Sequence, residues 1–355
     1  MQRRMVLLLC VIMLVAVVAV GCGGEQQAAT DAPENKTETK TTLETIKERG
    51  KVVVGVNNQL PGFGYLDPSG EYTGFDVDFG RALAAAIFGD PNAVEFKPLS
   101  DQRRFTALQM GEIDVLIRNT TWTIHRDTEL GLNFAPTTFY DGQGMLVRKD
   151  SGINSLKDLA GKRIGVLAGT TTELNLTDYM RKLNIEFETV TFDNVDAVVA
   201  AYEGGSVDAW TSDKSALLSR MTTLSNPAEH KILPETMSKE PLGPVVREGD
   251  DQWFDIVTWV VFATIQAEEF GITSENIDEF LQSEDPSIKR FLGTEGKFGE
   301  QLGLENDFVV KVIKGVGNYG EIFDRHFGPD TAFNLERDIN DLWTNGGLLY
   351  SPPFR

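Results

Sequence analysis

Strands and helices alternate in two separate stretches of the chain, and this repeat restricts the possible folds more than any other feature. Each stretch contains three short apolar segments typical of buried strands, with amphipathic helical patterns between them. The strands are predicted at residues 51–57, 94–98 and 113–117, and again at 163–167, 187–191 and 207–210. Because a helical crossover makes neighbouring strands parallel, each stretch predicts an α/β unit with a mostly parallel sheet and helices on both faces.

Two extended apolar segments, 142–147 and 241–247, flank the second stretch. We expect them to run side by side and to form a hinge between two lobes. The first lobe is then discontinuous and contains residues 43–144 and 245–355, and the second contains residues 145–244. The chain is long enough for two such domains of roughly 150 residues each.

A polar segment follows the third predicted strand and is a candidate binding site. It begins with Arg118, and Thr123 can cap a helical turn that carries Arg126. Hydroxyls and free backbone N–H groups at the carboxyl end of a strand are typical of a small anion site. The guanidinium of Arg126 suits a carboxylate because it donates two parallel hydrogen bonds. Alternatively, Thr123 only caps a helix and Arg126 is a solvated surface residue. Taken by itself, the segment favours this second interpretation.

The same segment carries a resemblance to a known family. The pattern G-E-I-D followed by T-W-T-I-H-R resembles the polar amino acid substrate-binding proteins of ABC importers, the bacterial family 3 solute-binding proteins. The string RNTTWT, with RDTELGLNFAP and FYDGQGMLVRK behind it, is similar to their general L-amino acid branch. The resemblance extends over residues 43–355. It implies a two-lobed periplasmic-binding-protein fold of type II that captures L-amino acids, with broad specificity, for a membrane permease.

In the first lobe, the resemblance assigns both charged ends of the ligand. It implies that Arg126 and Thr121 hold the α-carboxylate and that the backbone carbonyl of Asn119 accepts the ammonium group. Phe63 and Tyr65 match the loop that forms a wall of the family's pocket.

In the second lobe, the resemblance implies a ligand contact at Thr171, an apolar contact at Leu167 and a carboxylate for the ammonium group at Asp213. Each polar residue also has a simpler explanation. The sequence from Thr170 to Glu173 is a capping box that needs no ligand, and Asp213 can cap the helix that follows it. The residues alone leave the two roles of Asp213 equally balanced.

Two arginines, Arg104 and Arg118, stand where narrower members of the family have small or apolar residues. Extra cations beside a pocket can favour acidic ligands, or they can bind backbone carbonyls of the protein itself. The sequence leaves both hypotheses open.

The amino terminus has the layout of a secretory signal. Residues 5–20 are apolar and follow two arginines. An uncleaved membrane anchor is the alternative, because the apolar run is almost long enough to span a bilayer. The sequence A-V-G-C ending at Cys22 resembles a bacterial lipobox, which implies a signal peptide at 1–21 and lipidation of Cys22. Residues 22–42 lack aromatic side chains and predict a flexible tether.

Composition excludes several other classes of function. With 33 basic and 53 acidic residues the chain has a net charge of −20, which argues against binding to nucleic acid. The only cysteines are Cys10 and Cys22, and His125, His230 and His326 are scattered without a metalloprotease, serine-hydrolase or phosphate-loop motif. We therefore expect no enzyme activity, cofactor or metal. The alternative is a periplasmic dehydratase-like enzyme, because the same fold also hosts a few enzymes.

Overall fold

The computed structural model describes residues 40–355. The predicted signal peptide at 1–21, the lipidated Cys22 and most of the predicted tether lie outside these residues. The first helix, α1, is Thr42–Arg49, and Thr41 caps it in a reciprocal capping box with Glu44. This helix includes residue 42, the last residue of the predicted tether. In residues 40–355, no helix has both the length and the hydropathy required of a membrane span.

The next elements build the first sheet and the helices that cover it. They are β1 (Val52–Val56), β2 (Gln59–Leu60), β3 (Gly64–Leu66), β4 (Tyr72–Thr73), α2 (Phe75–Phe88), β5 (Val94–Pro98), α3 (Arg104–Gln109), β6 (Val115–Leu116), α4 (Ile124–Thr128) and β7 (Leu132–Phe134). Strands β2, β3 and β4 form a small separate sheet in the loop after β1.

The middle of the chain builds a second sheet, and the last part is mostly helical. The strands and helices of the middle part are β8 (Phe139–Asp141), β9 (Gln143–Arg148), β10 (Arg163–Leu167), α5 (Thr171–Lys182), β11 (Glu188–Phe192), α6 (Val195–Glu203), β12 (Ala209–Asp213), α7 (Lys214–Met221), β13 (His230–Ile232), β14 (Glu240–Leu242) and β15 (Val245–Arg247). The helices after them are α8 (Asp251–Glu269), α9 (Ile277–Phe280), α10 (Pro286–Phe291), α11 (Phe298–Leu302), α12 (Phe308–Val316) and α13 (Tyr319–Phe327).

Each lobe is organised around one five-stranded sheet. Lobe 1 has the strand order β5-β1-β6-β15-β7, and lobe 2 has the order β11-β10-β12-β9-β13. In each sheet the first three strands are parallel, as the strand–helix alternation predicts, and the remaining pairs are antiparallel. The antiparallel pairs involve the strands next to β8 and β14, the two segments that connect the lobes. There the chain enters or leaves a sheet without the helical connection that parallel strands need.

The hinge is the antiparallel pair β8 and β14, in which Asp141 lies opposite Glu240. The prediction that residues 241–247 run beside 142–147 is wrong. Strand β9 pairs with β12 and β13 in lobe 2, and β15 pairs with β6 and β7 in lobe 1. Each apolar segment continues from the hinge into a buried sheet, so apolar character alone does not locate the pairing.

The carboxyl-terminal part packs on lobe 1 and reaches the hinge. Phe323 and Phe327 join an aromatic cluster with Phe139 of β8. The side-chain amide of Asn340 accepts a hydrogen bond from Tyr140 N at 2.6 Å and donates one to Tyr140 O at 2.9 Å. Because it satisfies both main-chain groups of a hinge residue, Asn340 holds β8 against the body of lobe 1.

Candidate functional site

A cavity lined by residues that are mostly polar lies between the lobes, where strands of both sheets end. This is the position at which open α/β sheets bind ligands. The lining residues of lobe 1 are Asn57, Leu60, Asp101, Arg104, Arg118, Asn119 and Thr121, and those of lobe 2 are Leu167, Thr170, Thr171, Thr172, Val195, Trp210, Ser212, Asp213, Ala216 and Arg220.

The lobes touch each other around this cavity. The Ser219 hydroxyl of α7 donates to Pro61 O at 2.7 Å, and the Gln102 side chain donates to the carboxylate of Asp193 at 3.1 Å. These contacts join the two lobes directly, so the structure shows the cleft closed over the cavity.

Arg126 contacts the main chain of Thr121, a residue that lines the cavity, but is not itself among the lining residues. Thr123 caps its helical turn, since the Thr123 hydroxyl accepts from Arg126 N at 3.3 Å. The guanidinium donates to Thr121 O at 2.8 Å and lies 5.0 Å from the ring centroid of Phe105. Only 6% of the residue is exposed, so Arg126 is not a solvated surface residue. Burial lowers its pKa, and the negative charges of Glu240 and other nearby carboxylates oppose that shift.

Asn119 lines the cavity in a left-handed backbone conformation with a φ of 32°. Its N–H donates to the buried carboxylate of Asp76 at 2.7 Å. Burial raises the pKa of Asp76 to about 7, while the Asn119 N–H and the charge of Arg118 act in the opposite direction. Asp76 thus fixes a backbone conformation that non-glycine residues adopt rarely.

Asp213 ends β12 and occupies the capping position of α7, but its side chain makes no capping hydrogen bond. Asp141 of the hinge caps the helix instead, because its carboxylate accepts a hydrogen bond from Ser215 N at 3.2 Å. The capping explanation of Asp213 is therefore wrong. Burial raises the pKa of Asp213 well above its usual value, and the nearby carboxylates of Asp141 and Glu240 add to the shift.

Glu240 is a central residue that sequence analysis missed. Its carboxylate accepts hydrogen bonds from the hydroxyl of Thr121 in lobe 1 at 2.7 Å, the hydroxyl of Thr171 in lobe 2 at 2.9 Å and the amide of Asn175 at 2.7 Å. One buried carboxylate on the hinge thus contacts both lobes beside the cavity. No local motif marks a glutamate in such a role, because its partners lie 119, 69 and 65 residues away along the chain.

Arg118 and Arg104 share the carboxylate of Asp101. Arg118 binds it through two hydrogen bonds of 2.8 and 3.0 Å and donates a third to Leu99 O at 2.7 Å. Arg104 lies 3.2 Å from the same carboxylate, and its buried Nε has no hydrogen-bond partner within residues 40–355. Arg118 therefore donates its hydrogen bonds to groups of the protein itself, whereas Arg104 lines the cavity with one N–H group still free to donate.

Two residues predicted to form a wall of the pocket, Phe63 and Tyr65, do not line the cavity. The ring of Phe63 is fully buried in the core of lobe 1, 5.1 Å from the ring of Phe139 and 4.8 Å from that of Phe327. Tyr65 pairs in the small sheet and does not line the cavity. Leu60 of the same loop lines the cavity instead. The aromatic residue packs where it buries the most apolar area, which is the core.

The capping box predicted in lobe 2 is only half formed. The Thr170 hydroxyl accepts from Glu173 N at 3.3 Å, but the Glu173 carboxylate accepts from Gly169 N at 3.2 Å instead of from Thr170 N. Thr171, which begins α5, lines the cavity together with Leu167 at the end of β10.

Two α/β lobes that close on a polar cavity through a two-strand hinge define a protein that encloses a small solute. Residues 52–275 match the bacterial extracellular solute-binding proteins, family 3. The chain belongs to this family and has its two-lobed periplasmic-binding-protein fold, which confirms both predictions from the sequence.

Similar proteins cover almost the whole chain. The general L-amino acid-binding periplasmic protein AapJ of Rhizobium johnstonii is 56% identical over 317 residues, or 89% of this chain and 93% of that protein. The glutamate/glutamine/aspartate/asparagine-binding protein BztA of Rhodobacter capsulatus is 48% identical over 89% of this chain and 94% of that protein. A solved periplasmic binding protein of Brucella ovis with glutathione bound is 51% identical, with a TM-score of 0.88, over 89% of this chain and 100% of that chain.

Proposed function

We propose that this protein captures free L-amino acids between its lobes and delivers them to the membrane permease of an ABC importer. The observation that carries the proposal is the charge arrangement of the cavity. Asp213 is a buried carboxylate with no cation of residues 40–355 at salt-bridge distance, and the buried guanidinium of Arg126 lies near it. A zwitterion supplies the missing cation for Asp213 and an anion for Arg126. The relatives AapJ and BztA, both described as amino acid-binding proteins, support this choice of ligand.

The proposed contacts divide the ligand between the lobes. Thr121 and the amino-terminal turn of α5 at Thr171 contact the α-carboxylate, and Arg126, whose guanidinium bonds to Thr121 O, supplies the positive charge beside them. The carboxylate of Asp213 and the backbone carbonyl of Asn119 hold the ammonium group. Leu167 and Leu60 contact the side chain, and Arg104 and Arg118 also line the cavity.

These contacts suggest why binding closes the cleft, since each lobe supplies charges that one ligand satisfies. We propose lobe boundaries at residues 43–144 with 245–355 and at 145–244, with β8 and β14 as the hinge. The protein is expected to bind many amino acids, because the main contacts are made with the zwitterion that all of them share.

A panel of ligands in a thermal-shift assay tests this function. Several L-amino acids should raise the melting temperature, because a ligand that binds only the folded state stabilises it by about 4 kcal/mol at a thousandfold excess over Kd. N-acetyl and amide derivatives should have no effect, since each lacks one charge of the zwitterion. Sugars, dicarboxylates and prephenate-like acids serve as controls.

Mass spectrometry of the recovered ligands then separates binding from catalysis. We expect every ligand to be recovered unchanged. Conversion of any of them would support the dehydratase-like alternative, and stabilisation by sugars or prephenate-like acids alone would reject amino acids as the ligands.

We also propose that the protein acts outside the cytoplasm, anchored to a membrane by lipid at Cys22. The lipobox-like sequence before Cys22 supports this. Intact-mass analysis should show a mature chain that begins at an acylated Cys22 and partitions with membranes. Cys22→Ser should abolish acylation, whereas Cys10→Ser should not, because Cys10 lies within the removed signal. A mature protein with an unmodified Cys22 would contradict the proposal.

A further inference from the structure

Arg220 is a cavity-lining cation that sequence analysis did not single out. It lies on α7 of lobe 2, is 8% exposed, and donates through Nη1 to Gln59 O of lobe 1. Burial lowers its pKa to about 10, with a further contribution from the charge of Arg118, so the guanidinium remains charged near neutral pH. Arg220 therefore brings a positive charge to the seam where the two lobes meet.

In the part of the chain that the structure describes, no carboxylate around the cavity forms an ion pair with this charge, although Asp196 and Asp101 attract it from a greater distance. Asp101 is already bound by two arginines, with Arg118 at 2.8 Å and Arg104 at 3.2 Å. Within residues 40–355, no carboxylate lies at salt-bridge distance from Arg220. A buried charge without a counter-ion is costly, and an anionic group of a ligand would relieve that cost.

We propose that Arg220 determines specificity by binding a second carboxylate of the ligand. The preferred substrates are then L-amino acids with an acidic side chain or a γ-linked extension that ends in a carboxylate. This inference rests on the proposed function, because Arg126 and Asp213 must hold the amino acid end. The Brucella ovis neighbour supports it, since the glutathione bound there has an amino acid end and a separate carboxylate at the opposite end.

Comparing L-glutamate with L-glutamine tests the role of Arg220, because the two ligands match in size and differ in side-chain charge. We expect calorimetry to show that the wild-type protein prefers glutamate by about tenfold or more, as a hydrogen bond to a charged group requires. Arg220→Gln should remove the preference by weakening glutamate binding, and Arg220→Lys should retain part of it. Loss of the contact with Gln59 affects both ligands equally, so the ratio of their Kd values reports only the charge.

Arg103→Gln is the matched control. Arg103 is exposed, pairs with Glu112 at 3.3 Å and does not line the cavity, so this variant should keep the wild-type ratio. Glutathione forms a second arm of the experiment. If Arg220→Gln weakens only glutathione binding, the second carboxylate belongs to a γ-glutamyl peptide, and if it weakens glutamate binding, the carboxylate belongs to the side chain.

Two results separate the inference from the function on which it rests. If the wild-type protein binds both amino acids and Arg220→Gln changes neither the glutamate-to-glutamine ratio nor glutathione binding, the role of Arg220 is overturned. If the wild-type protein binds neither amino acid, the proposed function itself fails.

Discussion

Replacing Asp213 or Arg126 with alanine is expected to weaken binding of L-amino acids by about a hundredfold or more. Each residue is proposed to pair with one charge of the zwitterion in a desolvated cavity, where removing one partner typically costs about 2–5 kcal/mol. Calorimetry on the purified variants measures the effect. Asp208→Ala is the control, because Asp208 pairs with Arg163 in lobe 2 and does not line the cavity. Near wild-type affinity in either site variant would place the site elsewhere.

Asp213→Asn and Arg126→Ala should differ in their effect on the stability of the ligand-free protein. Asp213 is buried and its pKa is raised by burial, so the ligand-free protein is expected to be at least as stable with Asp213→Asn. Arg126→Ala removes a guanidinium that bonds to Thr121 O and packs over Phe105, so it should destabilise the fold. A ligand-free Asp213→Asn protein that unfolds more easily than the wild type would show that Asp213 has a structural role.

The sequence predicted the sheets because their strands are short apolar runs separated by helical patterns. It did not predict the partners of β9 and β15, since the segments on both sides of the hinge are equally apolar. Which strand lies beside which is decided by contacts such as Val245 with Phe134, more than a hundred residues apart along the chain. The two crossings were predicted, but their pairing at Asp141 and Glu240 required the structure.

The family resemblance, rather than any local pattern, selected several residues that line the cavity. Asn119, Thr121 and Asp213 are polar residues at strand ends, and the cavity contains all three. Arg220 was missed because a basic residue in the last turn of a helix is also expected from the helix dipole. Asp101 was missed for another reason, since no local pattern reveals that two distant arginines share one carboxylate.

Asp101→Ala is expected to destabilise the fold by about 3–5 kcal/mol, because it leaves Arg118 and Arg104 buried without their counter-ion. Urea unfolding of the ligand-free protein measures the change. Glu112→Ala is the matched control, since Glu112 pairs with the exposed Arg103 at 3.3 Å and such surface pairs contribute only about 0–1 kcal/mol. Equal destabilisation by the two substitutions would mean that the Asp101 cluster adds no more stability than a surface pair.

The stabilisation that Asp101 contributes should decrease when the pH is lowered. Burial by itself raises the pKa of Asp101, but the charges of Arg118 and Arg104 outweigh it, so the folded-state pKa lies below the usual value. The stabilisation is therefore fully present above the unfolded-state pKa of about 3.9 and is lost as the pH falls toward the folded-state value. The difference in unfolding free energy between the wild type and Asp101→Asn should be constant from about pH 5 to 7 and should shrink below about pH 4. A difference that grows on acidification would mean that the carboxylate is not stabilised by these arginines.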